Sequence, residues 1–160
     1  MTGAAIQITA RAFALDDRAW DRHMNPLSGW SRVLTLPVLA LALSARDWLG
    51  WSALGIIAGC GVWLWVNPRI FRPPRSTSNW MSRAVLGERL LLDPGKACVA
   101  THHAVFIRIL IFVMATGVGV LAAGLVVRHA GLTMTGLILS VGGKLWFLDR
   151  MVWLLTDIET

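Results

Sequence analysis

The chain has no tyrosine, nine acidic residues and two cysteines in 160 positions, and 15% of it is charged against 56% hydrophobic. That shortage of charge, with a positive mean hydropathy, excludes an ordinary soluble domain and leaves a membrane as the expected home. Cys60 lies inside an apolar segment and Cys98 in a connecting loop, with no CxxC pair. A disulfide framework and dithiol redox chemistry are thereby excluded. No HExxH and no Cys/His cluster of zinc spacing occurs. No histidine falls within an apolar segment, where a membrane b-type haem takes its axial ligands, so haem is not expected. The first residues, through Asp16, Asp17 and Asp21, are too acidic and too weakly apolar for a cleaved signal peptide. The first apolar helix is expected to serve as the targeting signal.

What is present is apolar sequence in lengths that span a bilayer, which takes roughly 20 residues per helix. Four segments qualify: Leu27 to Ala45, Leu49 to Val66, Ala104 to Val127 and Leu132 to Leu155. Arg32 and Pro37 weaken the first, with the Thr35 hydroxyl placed to support a kink at the proline. Short turns, Arg46-Asp47-Trp48 and Arg128-His129-Ala130, make each pair an antiparallel hairpin. A shift of 81 positions carries Gly50, Ser52, Gly55, Ile57, Gly61, Trp65 and Arg69 onto Gly131, Thr133, Gly136, Ile138, Gly142, Trp146 and Arg150. Two tandem hairpins with an even number of spans enter from the same side, as parallel repeats. The expected fold is all-α: a four-helix integral membrane bundle forming one domain over 1–160. Its first repeat covers about 20–72, its loop with a short interfacial helix 73–103, and its second repeat about 104–155.

Lysine and arginine set the orientation, because positive segments near span ends stay in the cytoplasm. Arg11, Arg18 and Arg22 precede the first span, and Arg69, Arg72, Arg75, Arg83, Arg89 and Lys96 lie in the long loop. The two turns carry only Arg46 and Arg128. Both termini are expected on the cytoplasmic side of a multi-pass protein of the inner membrane. Nine tryptophans suit interfacial belts, with Trp20, Trp30 and Trp80 at one boundary and Trp48 and Trp51 at the other. Gly55, Gly59, Gly117, Gly136 and Gly142 are expected to permit close helix packing.

In the long loop, Asn67-Pro68-Arg69 is expected to end the second span, because the residue before a proline disfavours the helical region. Ser78 can cap a helix of about Asn79 to Leu92, which Asp93-Pro94-Gly95 stops. Its apolar residues Trp80, Met81, Ala84 and Val85 recur at helical spacing, as in a helix lying on a membrane surface. Glu88 shares the face of Trp80 and Ala84, which points it toward the bundle, where a carboxylate needs a partner such as Arg69 or Arg89. Arg108 and Asp149 lie at equal depth in the second hairpin and are expected to form an ion pair. Lys144 lies deeper and on another face.

The stretch His23-Met24-Asn25-Pro26-Leu27-Ser28-Gly29-Trp30-Ser31-Arg32, the Asn67-Pro68-Arg69-Ile70-Phe71 turn and the Gly87-Glu88-Arg89 element resemble those of an uncharacterised family of small prokaryotic membrane proteins. That family is the domain-of-unknown-function family numbered 6653. The resemblance covers most of the chain. It implies a small multi-helix membrane protein and no activity.

Function is therefore read from the polar residues gathered at one boundary. Arg32, Arg69, Arg89 and Arg150, with Asn25 and Asn67, suit the phosphates of anionic phospholipid headgroups or a partner membrane subunit, without enzymatic chemistry. An alternative is a membrane-interface enzyme holding a divalent metal on His23, on His102 or His103, and on Glu88 or Asp149. Adjacent His102 and His103 point about 100° apart in a helix, so one at most serves a common site. A third alternative is a transporter of ions or small molecules, though the first three spans lack a carboxylate to carry a coupling proton. The net charge of +6 flanks apolar segments instead of forming a stripe, which argues against nucleic acid. Four short spans enclose little volume, so self-association is a further expectation.

Overall fold

The computed structural model describes residues 17–92 and 101–159. The regular structure within them is helical: α1 (Asp17–His23), α2 (Pro26–Ser44), α3 (Arg46–Leu49), α4 (Trp51–Ile70), α5 (Trp80–Leu92), α6 (Thr101–Val127) and α7 (Ala130–Glu159). Four of these, α2, α4, α6 and α7, are long and apolar enough to cross a membrane. Cys98 and the Asp93-Pro94-Gly95 helix stop lie outside the described residues.

Local chemistry sets the helix ends. Asn25 caps α2 by accepting from the Leu27 amide at 2.9 Å, with Pro26 at the first helical position, where its missing N–H costs nothing. Pro37 is carried inside α2, and the Thr35 hydroxyl donates to the Ser31 carbonyl at 2.9 Å just before it. The second long helix does not stop at Asn67-Pro68. It runs to Ile70, and extended backbone begins at Phe71. The Asn67 side chain overrides the pre-proline preference: it is fully buried, accepts from Ser28 Oγ at 2.5 Å and donates to Ser31 Oγ at 2.8 Å. The cap of α5 also differs by one residue from expectation. Asn79, not Ser78, accepts from the Ser82 amide at 2.9 Å, while Ser78 Oγ pairs with Ser76 Oγ.

Two apolar clusters organise the interior. Ile107, Leu110, Phe147, Met151 and Leu154 form one, between α6 and α7. Met81, Ala84 and Leu148 form the other, between α5 and α7. Helix α5 buries Met81, Ala84 and Val85 in the bundle. By contrast, α4 buries only Ala53, Asn67 and Pro68.

Glycines divide along the same line. A Cβ on Gly117 would lie 2.6 Å from the Ser140 amide nitrogen, and one on Gly136 would strike the Leu121 backbone. These two allow α6 and α7 to approach closely. Gly55, Gly59 and Gly142 have nothing within 4 Å of such a Cβ, so the close packing expected of them is not made within the chain.

The connection between α2 and α4 meets the connection between α6 and α7. Arg128, in the left-handed region at φ 58°, grips the Asp47 carboxylate with two nitrogens, at 2.8 Å and 3.1 Å. Arg46 Nη2 donates to the Leu125 carbonyl at 3.0 Å. The first turn is itself a single turn of helix, α3, which leaves through Gly50 at φ 53°.

Candidate functional site

Four polar side chains from four different helices converge at the opposite end of the bundle from those turns. His23 ends α1, Arg32 lies in α2, Glu88 in α5 and Lys144 in α7. The short α1–α2 connection and the start of α5 are held together by Ser82, whose hydroxyl donates to the Met24 carbonyl at 2.6 Å. That bond places Glu88 within reach of the end of α1. The other side of α1 is fixed to the end of α4 through Arg22 Nη1, which donates to the Arg69 carbonyl at 2.7 Å. Asn25 Nδ2 adds a bond to the Arg72 carbonyl at 3.0 Å.

Within the cluster, Lys144 Nζ donates to Glu88 Oε1 at 3.0 Å. Arg32 Nη1 lies 2.6 Å from His23 Nδ1 and also contacts Nε2, while its Nε donates to the Ser28 carbonyl at 3.2 Å. Trp20 closes over His23 edge to face, 5.4 Å between ring centroids. A guanidinium has donors only, so His23 must offer it a lone pair and be a neutral imidazole. Burial, followed by the positive charge of Arg32, agrees by pushing the His23 pKa down to about 3 against the opposing pull of Glu88. Burial by itself would raise the Glu88 carboxyl. The charge and hydrogen bond of Lys144, with His23 and Arg32 beyond, outweigh that and hold it below the usual carboxylate value. The cluster is therefore two cations, one carboxylate and one neutral imidazole, an excess of one positive charge.

The inward face of Glu88 is as its helical spacing implies, but its partner is Lys144 and not Arg69 or Arg89. Arg89 instead lies 3.5 Å from Asp21, and Arg69 packs over the Trp65 ring at 4.3 Å. Arg108 and Asp149 are not brought together. Arg108 is exposed, turned away from the buried line of His103, Ile107 and Leu110, and Asp149 accepts from Trp80 Nε1 at 3.1 Å. Trp80 in turn stacks on Trp30, 5.8 Å between centroids. Arg150 sits over the Phe106 ring at 4.5 Å, on the far flank of α7 from Lys144. Asn25 and Asn67 are occupied as a helix cap and an interhelical staple.

The proposed metal ligands that are described do not assemble. His103 is buried and lies 2.7 Å from Asp157 through Nε2, while the side chain of His102 is outside the described residues. Among the described residues, no three His, Cys, Asp or Glu side chains form a group able to hold a metal ion. The His103–Asp157 contact was only roughly readable: the count from the turn that levels Arg108 with Asp149 sets His103 level with Leu154, nearly one helical turn short of Asp157. The Lys144–Glu88 pair was not, since it depends on where α5 docks.

Set against known families, the chain is matched over residues 5–160 by a family of unknown function (DUF6653). No curated protein and no solved structure matches it. His23, Arg32 and Glu88, which the fold joins in one cluster, all belong to the sequence elements that carried the resemblance.

Proposed function

We propose that this chain, which belongs to the DUF6653 family of unknown function, is a non-enzymatic membrane protein that binds the phosphate of an anionic phospholipid headgroup at its His23–Arg32–Glu88–Lys144 cluster. The observation that carries this reading is the charge count: two cations face one carboxylate in a shielded setting, and a phosphodiester supplies the missing negative charge. Once His23 gives way at Nη1, the Arg32 guanidinium presents a planar pair of donors suited to two phosphate oxygens, and Lys144 a point charge beside it. A divalent cation would meet the opposite field, which disfavours the metal alternative.

The lysine and arginine bias puts this cluster at the cytoplasmic leaflet of the inner membrane. The two hairpins are read as parallel repeats entering from that side, with α5 at the interface. Supporting the repeat, the ion pair between the two turns joins Asp47 and Arg128, positions that the 81-residue shift superposes.

Two experiments test these statements. In detergent, short-chain phosphatidylglycerol should raise the unfolding temperature by on the order of 5 °C at saturation, and phosphatidylcholine should not. Arg32→Gln should abolish the difference, and equal shifts from both lipids in the native protein would remove the reading. For orientation, single cysteines are placed in a chain whose Cys60 and Cys98 are replaced. One near Ser76 should be protected from an impermeant thiol reagent in intact cells, and one near Asp47 or Ala130 labelled. Labelling at Ser76 would reverse the topology.

A further inference from the structure

The contact between Arg32 and His23 has a chemical consequence for whatever anion Arg32 binds. An arginine has no acceptor, so the ring edge that it faces carries a lone pair, and that lone pair takes Nη1, one of the donors that a two-pronged phosphate contact would use. His23 thus stands in for the ligand. We infer that anion binding at this site is proton-linked: a phosphate oxygen displaces His23 from Arg32, and the released imidazole takes up one proton from the bulk solution and its buffer and donates to the phosphate. The inference rests on the headgroup reading and specifies how that site is regulated.

Each element packed around His23 contributes a group that bears on this proton. From its own helix come Trp20, edge-on, and Arg22 and Asp21, which are engaged with Arg69 and Arg89. From α2 comes Arg32, from α5 Glu88 and from α7 Lys144. Arg32 and Lys144 both oppose a charge on His23, and Glu88 favours it. A bound phosphate adds a second negative charge beside Glu88 and draws the guanidinium away from the ring. Both changes favour the imidazolium. The phosphate alone cancels the single positive excess of the cluster, and that cancellation is what lets His23 take up a proton, after which three cations face two anions.

The direction of the effect follows from linkage. A group that is neutral before binding and protonated after it makes affinity rise as pH falls, with a limit of tenfold per pH unit for one proton. The phosphodiester of phosphatidylglycerol does not titrate near neutrality, so any slope there belongs to the protein.

The test uses the full chain in detergent with short-chain phosphatidylglycerol as the probe, and two readouts. Its dissociation constant is measured between about pH 5.5 and 8, and proton uptake is followed with an indicator dye in weak buffer. The expected result is several-fold tighter binding for each unit of acidification, with proton uptake approaching one per lipid bound, and a flat profile for His23→Gln. Binding that is independent of pH, with no proton uptake by the native chain, overturns the proton link and leaves the headgroup reading intact. Absence of binding at every pH overturns both.

Discussion

Glu88→Ala should lower the stability of the protein by about 2–4 kcal/mol in a detergent unfolding assay. The carboxylate is the only negative charge in a cluster that holds Arg32 and Lys144, and its side chain is 20% exposed against 39% for Lys144. Removing it leaves the Lys144 ammonium without its 3.0 Å partner and with the like charge of Arg32 nearby. Loss of one member of a fully buried pair costs about 3–5 kcal/mol, and the partial exposure of Lys144 sets the lower figure here. Glu88→Gln keeps an oxygen for Lys144 and removes only the charge, so it should lose less. A Glu88→Ala chain as stable as the native one would mean that Glu88 is solvated and that the cluster does not hold α5 to α7.

Glu88 shows which part of a site a sequence conveys. Its inward direction is legible, because Trp80, Ala84 and Glu88 recur at intervals of four on one helix. Its partner is not, because Lys144 reaches it only once α5 has docked on α7, a tertiary fact. The same split holds for Arg108 and Asp149. Depth along a spanning helix can be counted from the turn, whereas the direction around the helix axis depends on which face packs. Local chemistry produced the remaining departures. Asn67 is held in helical backbone by Ser28 and Ser31 against the preference of its following proline, and Asn79 outcompeted Ser78 as a cap. The four long apolar helices themselves were legible from length and apolarity, with boundaries within a few residues.

Glycine substitutions should separate in sign. Gly136→Ala would drive its Cβ into the Leu121 nitrogen and Cα, with the Gly117 carbonyl oxygen 2.8 Å away. These are backbone atoms of a facing helix and cannot rotate aside, so α6 and α7 must move apart through the Ser140 and Leu121 contacts. The expected cost is about 1–3 kcal/mol or more. Gly142→Ala, on the same helix, meets nothing within 4 Å and should be neutral or stabilising by up to about 1 kcal/mol, because alanine restricts the unfolded chain. Unfolding of the two variants in the same detergent checks this. Equal effects would show that the close approach of α6 and α7 is not what Gly136 serves.

The claim that the His23–Arg32–Glu88–Lys144 cluster receives an anionic headgroup is tested most directly by native mass spectrometry of protein released from bilayers of mixed phosphatidylglycerol and phosphatidylcholine. The native chain should retain one phosphatidylglycerol in preference to phosphatidylcholine, Arg32→Gln should lose that preference, and Glu88→Gln should strengthen it by raising the positive excess. Retention that does not distinguish the lipids, or a Glu88→Gln chain that loses the headgroup as Arg32→Gln does, would contradict the claim.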